Sequence, residues 1–264
     1  MDFGLKNKNC VVTGGTHGIG LEIAKYLAAS GCNVAVCSRN KDRLKNTSMI
    51  LKGYEIRSIV EKVDVLKVED INNFCKKIIS KWEKVDILIN NVGGGGRWGS
   101  EIVENTNDNV WMEVYEKNAF AAVRFTKYFL SNMKKNKWGR VINMASVSVK
   151  EPLSYLILSN SIRAAVTTWA KTLSNDLGPY NITVNNILTG YFDTQRIKEL
   201  NSEKAKKFNV SIEDVYETMK NIVPLKRIGN PKEFAYLVTF LASENASYIN
   251  GANIPIDGGL IKSL

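Results

Sequence analysis

Short apolar runs recur along the chain, with longer amphipathic stretches between them. Seven of these runs are candidate strands, at residues 10–12, 34–36, 63–65, 87–89, 141–142, 182–184 and 254–256. Several are apolar at consecutive positions, which is typical of parallel strands covered on both faces. Helix-length segments lie between them, among them residues 19–29, 71–81 and 164–177.

Strand and helix alternate from one end of the sequence to the other. This order predicts right-handed βαβ units in one α/β domain, a doubly wound, mostly parallel seven-stranded sheet of the Rossmann type with helices on both faces. No linker, repeat or low-complexity tract divides residues 1–264, so a single domain is predicted. Residues 196–223 depart from this alternation of strand and helix, because they are polar, helical in character and contain no strand. They predict a lid-like insertion over a substrate site.

Composition narrows the function classes. The sequence is 44% hydrophobic and 23% charged, which is ordinary for a globular protein. It has no apolar run of about 18 residues, and its polar N-terminus lacks the apolar core of a signal peptide. We therefore expect a cytoplasmic protein with no membrane partner. The four cysteines form no CxxC pair and His17 is the only histidine, so neither a disulfide framework nor a metal site is expected.

The formal net charge is +10. The lysines are scattered along helical segments and are not interleaved with aromatic residues, as a nucleic-acid-binding stripe would be. The charge pattern favours a basic surface that attracts an anionic cofactor. Nucleic-acid binding has only the net charge in its favour and ranks last among the hypotheses.

A glycine-rich loop follows the first predicted strand and opens the first helix. It reads Thr-Gly-Gly-Thr-His-Gly-Ile-Gly at residues 13–20. Glycines at such a turn let backbone N–H groups approach a pyrophosphate at the positive end of a helix. The strand–loop–helix context makes this a strong indication of dinucleotide binding.

The loop resembles the TGxxxGxG motif of the short-chain dehydrogenase/reductase family, and the resemblance runs through nearly the whole chain. Further matching motifs are NNVG at 90–93, NMAS at 143–146, PLKRIG at 224–229 and DGG at 257–259. The resemblance implies hydride transfer between a small carbonyl or alcohol substrate and a nicotinamide cofactor, in a homotetramer. The cofactor-binding residues that follow from the loop and the resemblance are Gly14, Thr16, His17, Gly18, Ile19, Gly20, Ser38, Arg39, Asn40, Asp64, Val65, Asn91, Val92, Gly93, Arg163 and Thr194.

Arg39 indicates which dinucleotide is preferred. NAD-binding relatives usually carry an acidic residue after the second strand, where it accepts hydrogen bonds from the ribose. Arg39 can instead pair with a 2′-phosphate, so NADP(H) is predicted over NAD(H). By resemblance, Asp64 would bond the adenine amine and Thr194 the nicotinamide carboxamide. His17 is either a phosphate contact or an exposed loop residue, and no catalytic role is assigned to it.

The catalytic residues match the family only in part. The family uses an asparagine, a serine, a tyrosine and a lysine, and the resemblance assigns the first two to Asn118, on the predicted fourth helix, and Ser146. Ser148 is the weaker candidate for the serine. Ser159 and Arg163 stand where the family has its tyrosine and lysine.

This replacement changes the expected proton transfer. A guanidinium can still hold the ribose hydroxyls but does not join a proton relay, because it stays charged at any relevant pH. An aliphatic hydroxyl is a far weaker acid than a phenol. Tyr155 or an ordered water could supply the proton, or Tyr155 could merely line the pocket. The glycine run 93–96 predicts space beside the nicotinamide, where Arg97, before Trp98, would meet an anionic substrate or remain exposed.

Two functional hypotheses follow. The first is an NADP(H)-dependent oxidoreductase that interconverts a carbonyl and an alcohol through a modified proton path. The second is a cofactor-binding sensor or partner subunit without turnover, which the loss of the tyrosine and lysine supports. Turnover against a carbonyl panel separates the two.

Overall fold

A computed structural model describes residues 2–93, 107–153 and 156–263. Its seven strands form one parallel sheet in the order β3-β2-β1-β4-β5-β6-β7. The strands are β1 Asn9–Thr13, β2 Asn33–Ser38, β3 Ser58–Lys62, β4 Ile87–Asn90, β5 Gly139–Ser146, β6 Ile182–Thr189 and β7 Asn253–Ile256. The predicted Rossmann-type α/β fold is confirmed.

The helices alternate with the strands as the sequence predicts. They are α1 Gly18–Ala29, α2 Lys41–Lys52, α3 Val68–Trp82, α4 Asp108–Tyr115, α5 Ala121–Asn136, α6 Ile157–Leu177, α7 Gln195–Phe208, α8 Ile212–Ile222 and α9 Pro231–Leu241. The predicted helical segments 19–29, 71–81 and 164–177 fall inside α1, α3 and α6. No helix within the described ranges is long and apolar enough to cross a membrane.

The helices cover both faces of the sheet. On one face α1 and α9 bury Leu27 and Phe234 against β1 and β5. On the other, α3 and α5 bury Phe74 and Phe125, whose rings meet edge to face with centroids 6.3 Å apart. Burial of each such side chain stabilises the fold by about 1.5–3 kcal/mol, and it explains why the inner strands are apolar at consecutive positions.

The third strand differs from the sequence-based prediction. Residues 58–62 pair with β2, through the register Val36↔Val60, whereas the predicted run 63–65 follows the strand end. Val63 and Val65 are buried beneath α3 as part of a turn. The prediction was wrong because β3 is an edge strand, whose pairing does not require a continuous apolar run, while the turn after it is buried.

All four cysteines, Cys10, Cys32, Cys37 and Cys75, are buried and free. Burial raises the pKa of each thiol, to about 12 for Cys32 and Cys37. Among the described residues no group of three or more histidine, cysteine or carboxylate side chains is arranged to hold a metal ion.

Candidate active site

A cavity of about 770 Å³ opens at the carboxyl ends of the central strands. It lies at the boundary between the neighbouring strands β1 and β4, the point at which the strand order reverses. Parallel sheets of this kind bind ligands in the crevice at such a switch point. The glycine-rich loop, the ends of β2 and β4 to β6, and the first turns of α7 form its walls.

The glycine-rich loop is shaped by close approach to Asn91. The amide Nδ2 of Asn91 donates to the carbonyl oxygens of Thr13 and Gly14, at 2.9 and 3.1 Å. A Cβ on Gly20 would come within 2.6 Å of the Gly14 carbonyl. Gly14 and Gly18 both have φ in the left-handed region, at +66° and +53°, which favours glycine. The loop therefore exposes backbone and the N-terminus of α1 to the cavity, as a pyrophosphate requires.

Two arginines line the cavity beyond β2. Arg39 follows the strand, and Arg43 lies one helical turn later in α2. Asn40 caps α2 by accepting the N–H of Arg43 at 2.8 Å, so the cap holds the second arginine close to the first. The predicted residues Ser38, Arg39 and Asn40 all line the cavity. Two guanidinium groups beside a glycine-rich loop suit a dinucleotide with a phosphorylated ribose.

His17 lies at the N-cap position of α1 with an exposed side chain. Partial burial and the positive charge of Arg43 lower the pKa of its imidazole, while Glu199 of α7 opposes them. The neutral form is thereby favoured near pH 7. Both sequence-based interpretations remain, because the ring is exposed and also at the cavity wall.

Thr16 and Asp64 are the two predicted cofactor contacts that do not line the cavity. Thr16 is buried under the loop. Asp64 lies in the turn after β3, where its Oδ1 accepts the N–H of Leu66 at 3.2 Å and its own N–H donates to Asp70 at 2.9 Å. The other predicted residues of the loop and of β4, together with Val65, Arg163 and Thr194, do line it.

Asn118 and Arg163 meet at Gly93. A Cβ on Gly93 would come within 2.7 Å of Asn118 Oδ1 and 3.1 Å of Arg163 Cζ. Arg163 also donates from Nη1 to the carbonyl oxygen of Met144 at the end of β5. The segment after β4, the stretch that holds Asn118 and α6 thus converge on one point, which only glycine at position 93 permits.

Asn118 is not in α4, as predicted, but in the π-helical turn Glu116–Phe120 that follows it. Its Nδ2 donates to the carbonyl oxygen of Val114 at 2.8 Å. Such wide turns occur frequently at functional sites. The turn shifts the helix register so that the buried amide faces Gly93.

Burial lowers the pKa of the Arg163 guanidinium from 12.5 to about 10. The group therefore remains charged near neutral pH, and its desolvation destabilises the folded protein. A buried charge of this kind is compensated by hydrogen bonds or by a bound partner. One bond, to the Met144 carbonyl, is already made.

Three serines are candidates for hydroxyl groups of the site: Ser146, Ser148 and Ser159. Ser146, half-buried at the end of β5, accepts the N–H of Ser148 at 3.1 Å. Ser148 is buried, so the accessible hydroxyl at this strand end is that of Ser146. Ser159 is half-buried and lies four residues before Arg163 on the same side of α6. Neither Ser146, Ser159 nor Asn118 lines the cavity wall itself.

Several sequence-based expectations fall on residues that the structure does not describe. Tyr155 lies outside the described ranges, and so do the glycines of 94–96, Arg97 and Trp98.

The cavity also includes residues that sequence reasoning missed. Lys117 and Phe192 line it, as do Gln195, Arg196, Ile197, Glu199 and Glu203 of α7. Thr194 caps α7 by accepting the N–H of Ile197 at 3.3 Å, and its Cγ2 lies 3.4 Å from a Cβ built on Gly18. The lining residues of α7 from Arg196 onward belong to the predicted lid segment 196–223. Arg43 also carried a usable signal, since it follows Arg39 by one helical turn.

Known proteins resemble this chain along nearly its full length. The family model described as Enoyl-(Acyl carrier protein) reductase matches residues 14–261. The NADPH-dependent reductase BacG of Bacillus subtilis (strain 168) is 32% identical over 98% of this chain and 100% of its own. Dehydrogenase/reductase SDR family member 4 of Sus scrofa is 33% identical over 98% of this chain and 89% of its own. The structure of L-sorbose reductase from Gluconobacter frateurii, complexed with NADPH and L-sorbose, superposes with a TM-score of 0.94 at 31% identity and covers 100% of both chains.

Proposed function

The chain belongs to the short-chain dehydrogenase/reductase family and is an oxidoreductase that prefers NADP(H), and we propose that it interconverts a carbonyl and an alcohol on a small molecule. In the proposed proton-transfer site, Ser159 and Arg163 replace the family's tyrosine and lysine. The relatives named above include an NADPH-dependent reductase and a sugar reductase. They support the reaction class.

The observation that carries the proposal is the position of Arg163. Its guanidinium is held by the Met144 carbonyl, contacts Gly93 next to Asn118 and lines the cavity. A charge at this point can donate hydrogen bonds to the ribose hydroxyls beside the nicotinamide, as the family's lysine does. NADPH supplies a hydride to the substrate carbon when it is bound. The fixed positive charge of Arg163 stabilises the negative charge that develops on the substrate oxygen.

The proton has to come from another group. With a pKa of about 10, Arg163 holds its proton near neutral pH. We assign to Ser146 and Ser159 the orientation of the substrate oxygen, and to Tyr155 or a water molecule the donation of the proton. Asn118 would hold such a water through its amide, which lies against Gly93 beside the guanidinium.

The remaining assignments concern the cofactor. The glycine-rich loop would hold the pyrophosphate, Arg39 the 2′-phosphate, Asp64 the adenine amine and Thr194 the nicotinamide carboxamide. Residues 196–223 would act as a lid, and the contribution of α7 to the cavity wall supports this role.

We also propose a homotetramer, which the family favours. Exposed apolar side chains on and next to α4 support it, since Met112, Tyr115 and Phe120 are 58%, 37% and 39% exposed. Contiguous apolar surface of this kind is typical of subunit contacts.

Turnover of NADPH and NADH with a panel of ketones, quinones and sugars tests the reaction class. Oxidation of NADPH that depends on one carbonyl class supports the proposal, and Tyr155→Phe then identifies the donor. A large loss of rate assigns the proton to Tyr155, whereas an unchanged rate assigns it to water. Tyr180→Phe serves as the control, because Tyr180 is exposed and precedes the amino end of β6, opposite the end that lines the cavity. Tight NADPH binding without turnover on any carbonyl contradicts the proposal and favours a non-catalytic sensor.

A further inference from the structure

Three cationic side chains reach the cavity from three separate elements. Arg39 follows β2, Lys117 belongs to the π-helical turn before α5, and Arg196 lies in the first turn of α7. They are far apart in the sequence, and the sheet order and the position of α7 bring them to one cavity.

Lys117 has the most buried side chain of the three. It is half-buried, and it takes part in none of the ion pairs between described residues. Burial and the positive charges of Arg39 and Arg196 lower the pKa of its ammonium, against the opposing charges of Glu113 and Asp64. The Asp64 carboxylate already accepts the N–H of Leu66.

Different charged residues of the cavity lie near His17 and near Lys117. Arg43 lowers and Glu199 raises the pKa of His17. Arg39 and Arg196, which line the same cavity, both lower the pKa of Lys117. An anion bound among these three cations would stabilise their positive charges.

We propose that Lys117 and Arg196 complete, with Arg39, a three-sided clamp for the phosphate on the adenosine ribose, and that Lys117 is a determinant of the preference for NADP(H). Each added cation would form a charge-assisted hydrogen bond to that phosphate. The inference rests on the preference of this chain for NADP(H) and is independent of the proposed catalytic step.

Binding of adenosine 2′,5′-bisphosphate and of adenosine 5′-monophosphate, measured by calorimetry at low salt, isolates this phosphate without any turnover. We expect Lys117→Gln and Arg196→Gln each to weaken binding of the bisphosphate by about tenfold, the effect of one charge-assisted hydrogen bond. Binding of the monophosphate should not change. Lys117→Arg retains the charge and should retain most of the preference.

Matched controls are Lys127→Gln, on the exposed side of α5, and Lys198→Gln, on α7 but away from the cavity wall. Both remove one charge from a similar surface and should leave both affinities unchanged. Thermal unfolding of each variant establishes that it is folded.

If Lys117→Gln weakened binding of both ligands equally, the proposal would be overturned, because Lys117 would then be assigned to the phosphate that the two ligands share. An unchanged affinity for the bisphosphate, or an equal effect of the control variants, would overturn it as well. Absence of carbonyl turnover would contradict the proposed reaction and would leave this binding result intact.

Discussion

The guanidinium of Arg163 lies against Gly93, so that a Cβ on Gly93 would come within 3.1 Å of Cζ. The two residues come from α6 and from the end of β4. Their contact puts a half-buried positive charge at the carboxyl end of the sheet, next to the amide of Asn118. A larger side chain at position 93 therefore tests this contact.

Gly93→Ala should displace both Arg163 and Asn118. Overpacking of this kind costs about 1–3 kcal/mol, and the displaced guanidinium should lower NADPH affinity and turnover together. Fluorescence titration with NADPH measures the first and steady-state rates the second. Gly178→Ala is the control, because a Cβ there would meet only Asn250 at 3.8 Å. Unchanged NADPH binding in Gly93→Ala would show that the guanidinium does not need this position.

Arg163→Met should separate binding from stability. Burial lowers the pKa of this guanidinium to about 10, so the folded protein carries a desolvation cost that the neutral side chain removes. This gain should offset the lost bond to Met144, leaving the free energy of unfolding within about 1 kcal/mol of the wild type. NADPH affinity should fall at least about tenfold. Urea unfolding and calorimetry measure the two quantities.

The variant Ser159→Tyr with Arg163→Lys restores the family's catalytic pair. A phenol beside an ammonium is a far better proton donor than a serine, and general acid catalysis contributes about 10²–10⁴ in rate. We therefore expect kcat to rise with a carbonyl substrate that the wild type reduces slowly. Ser161→Tyr, which puts a tyrosine on the exposed side of α6, should not change kcat. No gain in the double variant would mean that proton transfer does not limit the rate.

Asn143→Leu should destabilise the sheet. Buried amides form a ladder across three strands, in which Asn90 donates to Asn143 at 2.8 Å and Asn143 to Asn186 at 3.0 Å. Leucine would leave the Asn186 oxygen without its donor, and the loss within a connected network should be about 2–4 kcal/mol. Urea unfolding measures it, with Asn136→Ala, an exposed residue on α5, as the control. A cost no larger than that of the control would show that the ladder contributes little.

Glu233 should contribute stability that depends on pH. The hydrogen bonds from Arg227, at 2.6 and 2.8 Å, and then the N–H of Asn230 lower the pKa of its carboxyl to about 2. A depressed pKa stabilises the fold above the ordinary value of about 4.3, and this stabilisation is lost as pH falls towards 2. Glu233→Gln should therefore lower the Tm at pH 7 and lose its effect near pH 2.

Thermal unfolding across this pH range measures the difference between the two proteins. Glu217→Gln, which removes an exposed ion pair with Lys220, is the control and should show little effect at any pH. A Glu233→Gln effect that persists undiminished at pH 2 would contradict the role of the charge.

The sequence by itself determined the order of the elements, the parallel sheet and the glycine-rich loop. Consecutive apolar positions report burial on both faces, and the glycines of residues 13–20 report backbone conformations that other residues adopt poorly. Both signals depend on residues that are close together in the sequence, so they are recognised without knowledge of the fold. The family resemblance then pointed to NADP(H) through Arg39.

Tertiary structure decided where strands end and which side chains meet. The buried pair Val63 and Val65 resembles a strand in sequence, but the pairing of β3 with β2 places the strand earlier. Lys117 lies next to Asn118 in the sequence with no signal of its own, and the π-helical turn and α7 bring it beside Arg39 and Arg196. Contacts of this kind depend on sheet order and on helix register over long separations, and one-dimensional periodicity carries no information about either.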